Sequence, residues 1–464
     1  MVNNLTASIV LDLGTTAIKA GLLDRNGELG NIIARPAPLI TAHDGRYESD
    51  SLAYAEIAEQ VLGACSALAG DCRSLGLCSQ RSSFLIWEQA TGQPLTPLVS
   101  WQDNRGAASC AALRAHEKSI RDLAGLPLTP YYFAPKLRSM LLGNPGWLAR
   151  LESGELRVGT LDSFLIWRWS GGKYFVTDAS MAARTLLMDI RQQQWSPQLC
   201  EFFGIPLGIL PEIISSAEMN LSLNNGLVLQ ASTGDQSAAL IASISENQPE
   251  ALVNLGTGCF VMRYFSGGKS ALGGYLNTLV YTNNAQHPHY AIEGTLNSVA
   301  AALAPYPVGE CNCADLAMDN IFCVAEPSGL GAPYFRGDIG IRYSESVEHL
   351  SQRRIATLLL EAVIFRVVRI LEDLHRESAI ERVYLSGGLS GLLCLQQGIA
   401  QCVPFEVYRL DQSESSLQGA ALLAAGMTPA SHRRSETISI TGNTDALPKK
   451  YRRWKMWLDE LLTS

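Results

Sequence analysis

The chain lacks the signatures of several protein classes. None of its eleven cysteines forms a CxxC pair. Cys311-Asn312-Cys313 is too close for a usual zinc knuckle and has no histidine cluster beside it. An odd, scattered set reads as reduced thiols, which fits a cytoplasmic setting. Charged residues make up only 17%, and the net charge is −8, so there is no global basic field to recruit nucleic acid. The one dense basic cluster, Lys449-Lys450-Tyr451-Arg452-Arg453-Trp454, reads as a solvated terminal face. The N-terminus shows no basic start followed by an apolar signal core. The longest helical apolar stretch, Ile355 to Leu374, contains Glu361, Arg366 and Arg369. It reads as an amphipathic core helix rather than a membrane span. The dinucleotide fingerprint GxGxxG is absent.

What is present is glycine in particular places. Asp12-Leu13-Gly14-Thr15-Thr16, Asn254-Leu255-Gly256-Thr257-Gly258 and Ser386-Gly387-Gly388-Leu389-Ser390 each follow an apolar run that reads as a strand. Glycine and small hydroxyl residues at strand ends let backbone N–H groups approach a polyphosphate. The first loop links two predicted strands, Ala7 to Leu11 and Ala17 to Leu23, closed by the hairpin turn Asp24-Arg25-Asn26-Gly27. A Walker loop would instead open a helix and carry Gly-Lys-Ser or Gly-Lys-Thr. Three such loops over both halves of the chain suggest a nucleotide held between two domains.

At 464 residues the chain has room for two cores. Strands are predicted at Leu75 to Arg81, Phe84 to Trp87 and Pro97 to Trp101, and a helix at Leu52 to Leu68. A strand in Leu227 to Ser245 leads through Gly234-Asp235-Gln236-Ser237 into an alanine-rich helix. Near residue 250 the pattern restarts, with Glu250 to Leu255, a glycine-threonine turn, and Cys259 to Tyr264. Two halves of related architecture are therefore expected, 1–245 and 246–464. A long helix from Ser351, a strand from Arg382 to Leu385 and a small-residue helix at Gln418 to Leu422 follow.

These segments, in this order, resemble the FGGY carbohydrate kinase family from about residue 7 to 426. The segments that carry the resemblance include Leu11-Asp12-Leu13-Gly14-Thr15-Thr16, Ser79-Gln80-Arg81-Ser82 and Trp101-Gln102-Asp103-Asn104-Arg105. They continue through Gly234-Asp235-Gln236, Gly256-Thr257-Gly258, Gly329-Leu330-Gly331-Ala332-Pro333-Tyr334, Ser386-Gly387-Gly388 and Leu417-Gln418-Gly419. The resemblance implies an α/β chain of two actin-like ATPase (ribonuclease H-like) domains, with nucleotide and substrate in the cleft. It implies ATP and Mg²⁺ as cofactors and a small sugar or polyol as partner, with no nucleic acid and no membrane; a homodimer is the candidate assembly.

Asp235 is then the general base, though a residue before an alanine-rich helix also reads as an N-cap. Asp12 would hold hydrated Mg²⁺, with Asp235 beside it. Gly14, Thr15, Thr16 and Lys19 would face the phosphates, Gly256 and Thr257 would grip them from the second domain, and Gly387, Gly388 and Gln418 would serve the nucleoside. Arg81, Trp101, Gln102, Asp103, Tyr131 and Gln236 would line the acceptor pocket, with Tyr132 and Phe133 as competitors for the role of Tyr131. Glycerol kinases carry Arg-Glu where this chain has Arg81-Ser82, and xylulokinases carry Met-His, so the pocket is a hybrid. The expected reaction is phosphoryl transfer from ATP to a hydroxyl, a primary one by expectation, of a small sugar, ketose or polyol. An actin-like or chaperone-type ATPase switch and a catalytically weak sugar-binding regulator are the alternatives; the sugar-pocket residues and the paired Asp12 and Asp235 argue against them.

Overall fold

The computed structural model describes residues 6–267, 272–285, 287–411, 414–427, 433–440 and 445–463. The chain forms two compact units. The first comprises Met1–Ala242, Asn277–Tyr290 and Glu414–His432, and the second Ser243–Leu276, Ala291–Ser413 and Arg433–Ser464. The chain thus returns twice to the first unit after residue 242.

The first unit is built on a six-stranded sheet in the order Ala217–Ser222, Val228–Gly234, Ser74–Ser79, Thr6–Leu13, Ala17–Asp24, Leu29–Pro36. Val228–Gly234, Ser74–Ser79 and Thr6–Leu13 are parallel neighbours, and the outer pairings are antiparallel. The parallel strands read as near-continuous apolar runs because both faces are covered. Ile9, Leu11, Leu75, Leu77 and Leu229 are fully buried, packed with the helix Ser51–Ser66. The helix Ser415–Ala425 covers the other face, and its small residues permit close approach: a Cβ on Gly419 would stand 1.8 Å from the Ala238 carbonyl.

The second unit repeats this arrangement. Glu250–Leu255 pairs antiparallel with Cys259–Phe265 and parallel with Arg382–Ser386. Arg382–Ser386 pairs parallel with Glu406–Leu410, which pairs antiparallel with Ser435–Thr437. Strand–turn–strand followed by two parallel neighbours and an antiparallel edge occurs in both units. This gives the expected duplication a structural basis.

Two expectations about charge need correction. The long helix, Gln352–Glu377, is not a simple amphipathic element, because Glu361 and Arg366 lie on its buried side at 2% and 0% exposure. Arg366 Nε donates to Glu326 Oε1 at 2.7 Å, and Lys450 pairs with Glu361. Lys450 therefore leaves the expected solvated face: in the helix Ala446–Thr463, Lys450, Tyr451 and Trp454 are buried, while Lys449, Arg452 and Arg453 remain exposed. A charge run read linearly was divided by helical periodicity into a core side and a wet side. All eleven cysteines are free thiols, and no described helix is long and apolar enough to cross a membrane.

Candidate active site

The register of the first sheet brings the motifs together. Leu13 pairs with Ser79, and Ser79 with Gly234, across the three parallel strands. The segments that follow, loops from Gly14 and Gln80 and a helix from Asp235, therefore leave the same edge side by side. In open α/β sheets ligands bind outside the carboxyl ends of the strands.

Asp12 and Asp235 form the charged centre. Asp12 is partly buried, and its Oδ1 is sealed from solvent with no hydrogen-bond partner. Burial, then the neighbouring Asp235 charge, pushes the Asp12 carboxyl up to about 7. The helix Asp235–Ser243 begins at Asp235, whose Oδ1 accepts the Gln236 N–H at 2.8 Å and lies 3.4 Å from Arg81 Nε. The helix-start position therefore leaves the side chain accessible, at 31% exposure. Arg81 is 4% exposed, and its Nη1 has no hydrogen-bond partner. Glycine is required at 234 because a Cβ there would stand 2.8 Å from the Arg81 Cγ and Cδ.

A sealed carboxylate oxygen without a partner, beside a second carboxylate, is a donor set that suits a hard divalent cation. The folded state holds the Asp12 proton up to about pH 7, whereas the unfolded carboxyl ionises near its ordinary value of 3.8. The destabilisation from this group thus grows as pH rises through that window and is complete above 7. Asp12→Asn should therefore be more stable than the parent at pH 8 in a chelator. Added Mg²⁺ should raise the melting temperature of the parent but not of the variant. Thermal unfolding at pH 5.5 and 8, with and without Mg²⁺, checks this; equal Mg²⁺ responses would remove Asp12 as a ligand.

The Gly14-Thr15-Thr16 turn is held in part by Tyr54 and Gln80, to which sequence reading gave no role. Tyr54 donates from its hydroxyl to the Gly14 carbonyl at 2.8 Å, and Thr15 donates to Gln80 Oε1 at 3.2 Å. Thr15 Oγ1 also accepts the Trp101 Nε1–H at 3.0 Å, so its own proton points at Gln80. Thr16 is exposed at the tip. Lys19 lies opposite Asp12 in the hairpin, and its ammonium is gripped by both Glu414 oxygens at 2.7 and 2.8 Å. Glu414 immediately precedes the helix Ser415–Ala425 and carries no sequence signal of its own.

The residues expected to line the acceptor pocket lie by a five-stranded sheet that includes Arg46–Ser49, Leu98–Val99, Phe84–Glu88 and Leu156–Thr160. Trp101 follows the strand Leu98–Val99 and meets Tyr131 with ring centroids 5.5 Å apart. Tyr132 and Phe133 are buried at 4% and 2%, which leaves Tyr131 as the more accessible ring. Gln102 and Gln236 are partly exposed. Lys136, fully buried, donates to the Ser82 and Ser100 carbonyls at 3.0 and 2.9 Å and ties both pocket loops together; burial lowers its amine to about 7.

Two residues do not join the site as expected. Asp103 is fully buried, and its carboxylate is already engaged: Oδ1 accepts from Arg105 Nε and the Arg105 N–H, Oδ2 from Arg105 Nη2 and the Tyr47 N–H. Burial opposes ionisation, but the Arg105 guanidinium and these backbone donors hold the carboxyl below its ordinary value. Asp103 thus braces the loop from within. Gln418 is buried at 5% and donates to the Gly27 carbonyl at 2.8 Å. That turn lies at the other end of the strand Ala17–Asp24 from Gly14 to Thr16, and Gln418 secures it.

In the second unit Asn254 pairs with Ser386, so the turns at Gly256-Thr257 and Gly387-Gly388 leave adjacent strand ends. Thr257, Gly387 and Gly388 are exposed. Gly387 has φ +85°, and a Cβ there would stand 2.5 Å from the Leu255 carbonyl oxygen, so only glycine fits. The Gly329 to Tyr334 segment is fixed from below, because Glu326 Oε2 accepts the Gly331 N–H at 2.8 Å and Arg366 donates to the Ala332 carbonyl at 3.0 Å.

Residues 7–252 match the FGGY family of carbohydrate kinases, N-terminal domain, and residues 251–427 match its C-terminal domain. The chain belongs to the FGGY family. It is a carbohydrate kinase, and its two α/β units have the actin-like fold of that family. Curated relatives include glycerol kinases from Alkalilimnicola ehrlichii, 32% identical with 90% of each chain covered, and from Polaromonas sp., 29% identical with 94% of this chain and 93% of that one covered. Among solved structures, a Plasmodium falciparum glycerol kinase with ADP superposes with a TM-score of 0.85 at 21% identity, covering 98% of each chain. A Brucella ovis xylulose-type kinase gives 0.83 at 19%, covering 98% of this chain and 99% of that one. FGGY membership thus rests on matches through both halves of the chain.

Proposed function

We propose that this FGGY kinase transfers the γ-phosphoryl group of ATP to a primary hydroxyl of a small polyol or ketose, with Asp235 as general base. The observation that carries the reading is the Asp12–Asp235 pair at strand ends on either side of the central strand Ser74–Ser79, beside the Trp101–Tyr131 wall. Trp101 and Tyr131 would lie against the carbon face of the acceptor, and the unpartnered Arg81 Nη1 would donate to one of its hydroxyls. Asp235 would take the acceptor proton as that oxygen bonds to the γ-phosphorus and the bond to the β-phosphate oxygen breaks, releasing ADP. Asp12, with Asp235, would hold Mg²⁺, which when bound neutralises charge on the phosphates. Backbone donors at Gly14 to Thr16, Gly256-Thr257 and Gly387-Gly388 would hold the nucleotide.

The relatives are glycerol kinases, but one feature favours a different acceptor. Where glycerol kinases carry glutamate after the arginine, this chain has Ser82, which is fully buried and donates to the Arg184 carbonyl at 2.9 Å. No carboxylate is available there for the vicinal hydroxyls of glycerol. A hydrogen-bonding site discriminates strongly through such groups. A coupled ADP-release screen over glycerol, tetritols, pentuloses, hexuloses and heptuloses should give its highest kcat/KM for an acceptor larger than glycerol. Preference for glycerol would overturn the acceptor assignment, and no turnover with any acceptor would overturn the reaction.

A further inference from the structure

Gln80 belongs to a motif quoted for the family resemblance, yet the reaction above gives it no task. It is 3% exposed and stands at the carboxyl end of the central strand Ser74–Ser79, between the turn that begins at Gly14 and the helix that begins at Asp235. Every polar group of its side chain is engaged. Oε1 accepts from the Thr15 hydroxyl at 3.2 Å and from the Ser83 hydroxyl at 2.9 Å. Nε2 donates to the Tyr54 hydroxyl at 3.4 Å, and Tyr54 donates to the Gly14 carbonyl at 2.8 Å. The amide therefore grips the phosphate turn at two successive residues.

The same amide reaches the acceptor wall by two routes. Ser83 Oγ accepts the Trp101 backbone N–H at 3.0 Å, and Thr15 Oγ1 accepts the Trp101 indole N–H at 3.0 Å. The proton directions in this circuit are determined by the donors. An indole nitrogen can only donate, so Thr15 must accept from Trp101 and give its own proton away. The amide oxygen can only accept, so it receives both hydroxyl protons. An apolar side chain at position 80 would leave the Thr15 and Ser83 hydroxyls without an acceptor in a buried site. Replacing the amide thus frees both ends of the circuit at once.

We infer that Gln80 is a positioning residue that couples the acceptor wall at Trp101 to the phosphate turn at Gly14-Thr15, so that filling one strengthens binding at the other. The inference rests on the assignment of Trp101 to the acceptor and of Gly14-Thr15 to the nucleotide. Coupling of this kind is reciprocal and commonly changes affinity by about 5–150-fold. It gives a sugar kinase a means of keeping ATP poorly held until an acceptor is present.

The test has two arms on the full chain. In the first, acceptor affinity is measured by calorimetry with and without Mg²⁺ and a non-hydrolysable ATP analogue, using the best acceptor from the screen. The parent should show at least about a fivefold tightening, and Gln80→Leu should show a ratio near one. Trp101→Phe, which keeps an aromatic ring but removes the indole donor, should also reduce the ratio, and the double variant should lose little more than Gln80→Leu alone. The second arm needs no acceptor. The Trp101 indole N–H resonance, identified by its disappearance in Trp101→Phe, should shift when Mg²⁺-ADP is added to the parent. It should stay still in Gln80→Leu. If Gln80→Leu fails to fold, Ser83→Ala and Trp101→Phe supply the comparison, the first cutting both bonds of the Ser83 hydroxyl and the second the indole bond to Thr15. A parent ratio of one, a parent ratio retained in the variants, or an indole signal indifferent to nucleotide would overturn the coupling. A screen without any acceptor would overturn the kinase reading instead, while the indole arm would still decide on the circuit.

Discussion

Asp235→Asn should lower kcat by about 10²–10⁴-fold, the range general-base removal commonly gives. Acceptor affinity should change little. Asparagine keeps the size of the side chain and an oxygen that can accept the Gln236 N–H and face Arg81 Nε, so the helix start and the pocket floor survive. What it cannot do is take a proton from a hydroxyl. The substitution also removes a charge that helps hold the Asp12 carboxyl near 7, so Asp12 should ionise at lower pH in the variant. Steady-state kinetics together with direct acceptor binding separate these effects. A fall in kcat with binding retained supports the base; undiminished turnover removes the assignment of Asp235, whatever the acceptor.

The second large effect concerns stability. Arg366→Met should destabilise the second unit by about 3–5 kcal/mol, the usual result of removing one partner from a buried ion pair. Arg366 and Glu326 are each 1% exposed and 2.7 Å apart. Arg366 also donates to the Ala332 carbonyl and lies over the Tyr334 ring at 4.9 Å, while Glu326 accepts the Asn297 and Gly331 N–H groups. Losing the guanidinium leaves a carboxylate stranded in the core and untethers the Gly329 to Tyr334 segment. Adding Glu326→Gln should recover part of the loss, because the stranded charge is then gone. Urea unfolding of the parent, both single variants and the double variant gives the comparison. A loss under about 1 kcal/mol for Arg366→Met, the range of an exposed pair, would show that the pair is not buried in solution.

The glycine-bearing strand ends were legible because they combine two local signals. A parallel strand buried on both faces reads as an apolar run, and the turn after it needs residues without bulk. This carried Asp12, Gly14, Gly256 and Gly387 directly from residue order to strand ends. The duplicated strand–turn–strand pattern was legible for the same reason. Asp103 and Gln418 show what residue order leaves out, because motif position says which loop a side chain belongs to and not which partner claims it. Arg105 two residues away and the Gly27 carbonyl of a distant turn were the claimants.

By itself, then, the order of residues determined the class of fold and the strand ends at which Asp12 and Asp235 stand, since backbone sterics and hydrophobic burial act within a few neighbours. The pairings Lys19–Glu414, Arg366–Glu326 and Lys450–Glu361 join residues far apart in the chain, and only packing brought them together. So too the Gln80 circuit arises where three strands end in register. A buried polar group must find its partner in space, and the sequence does not record distance through space.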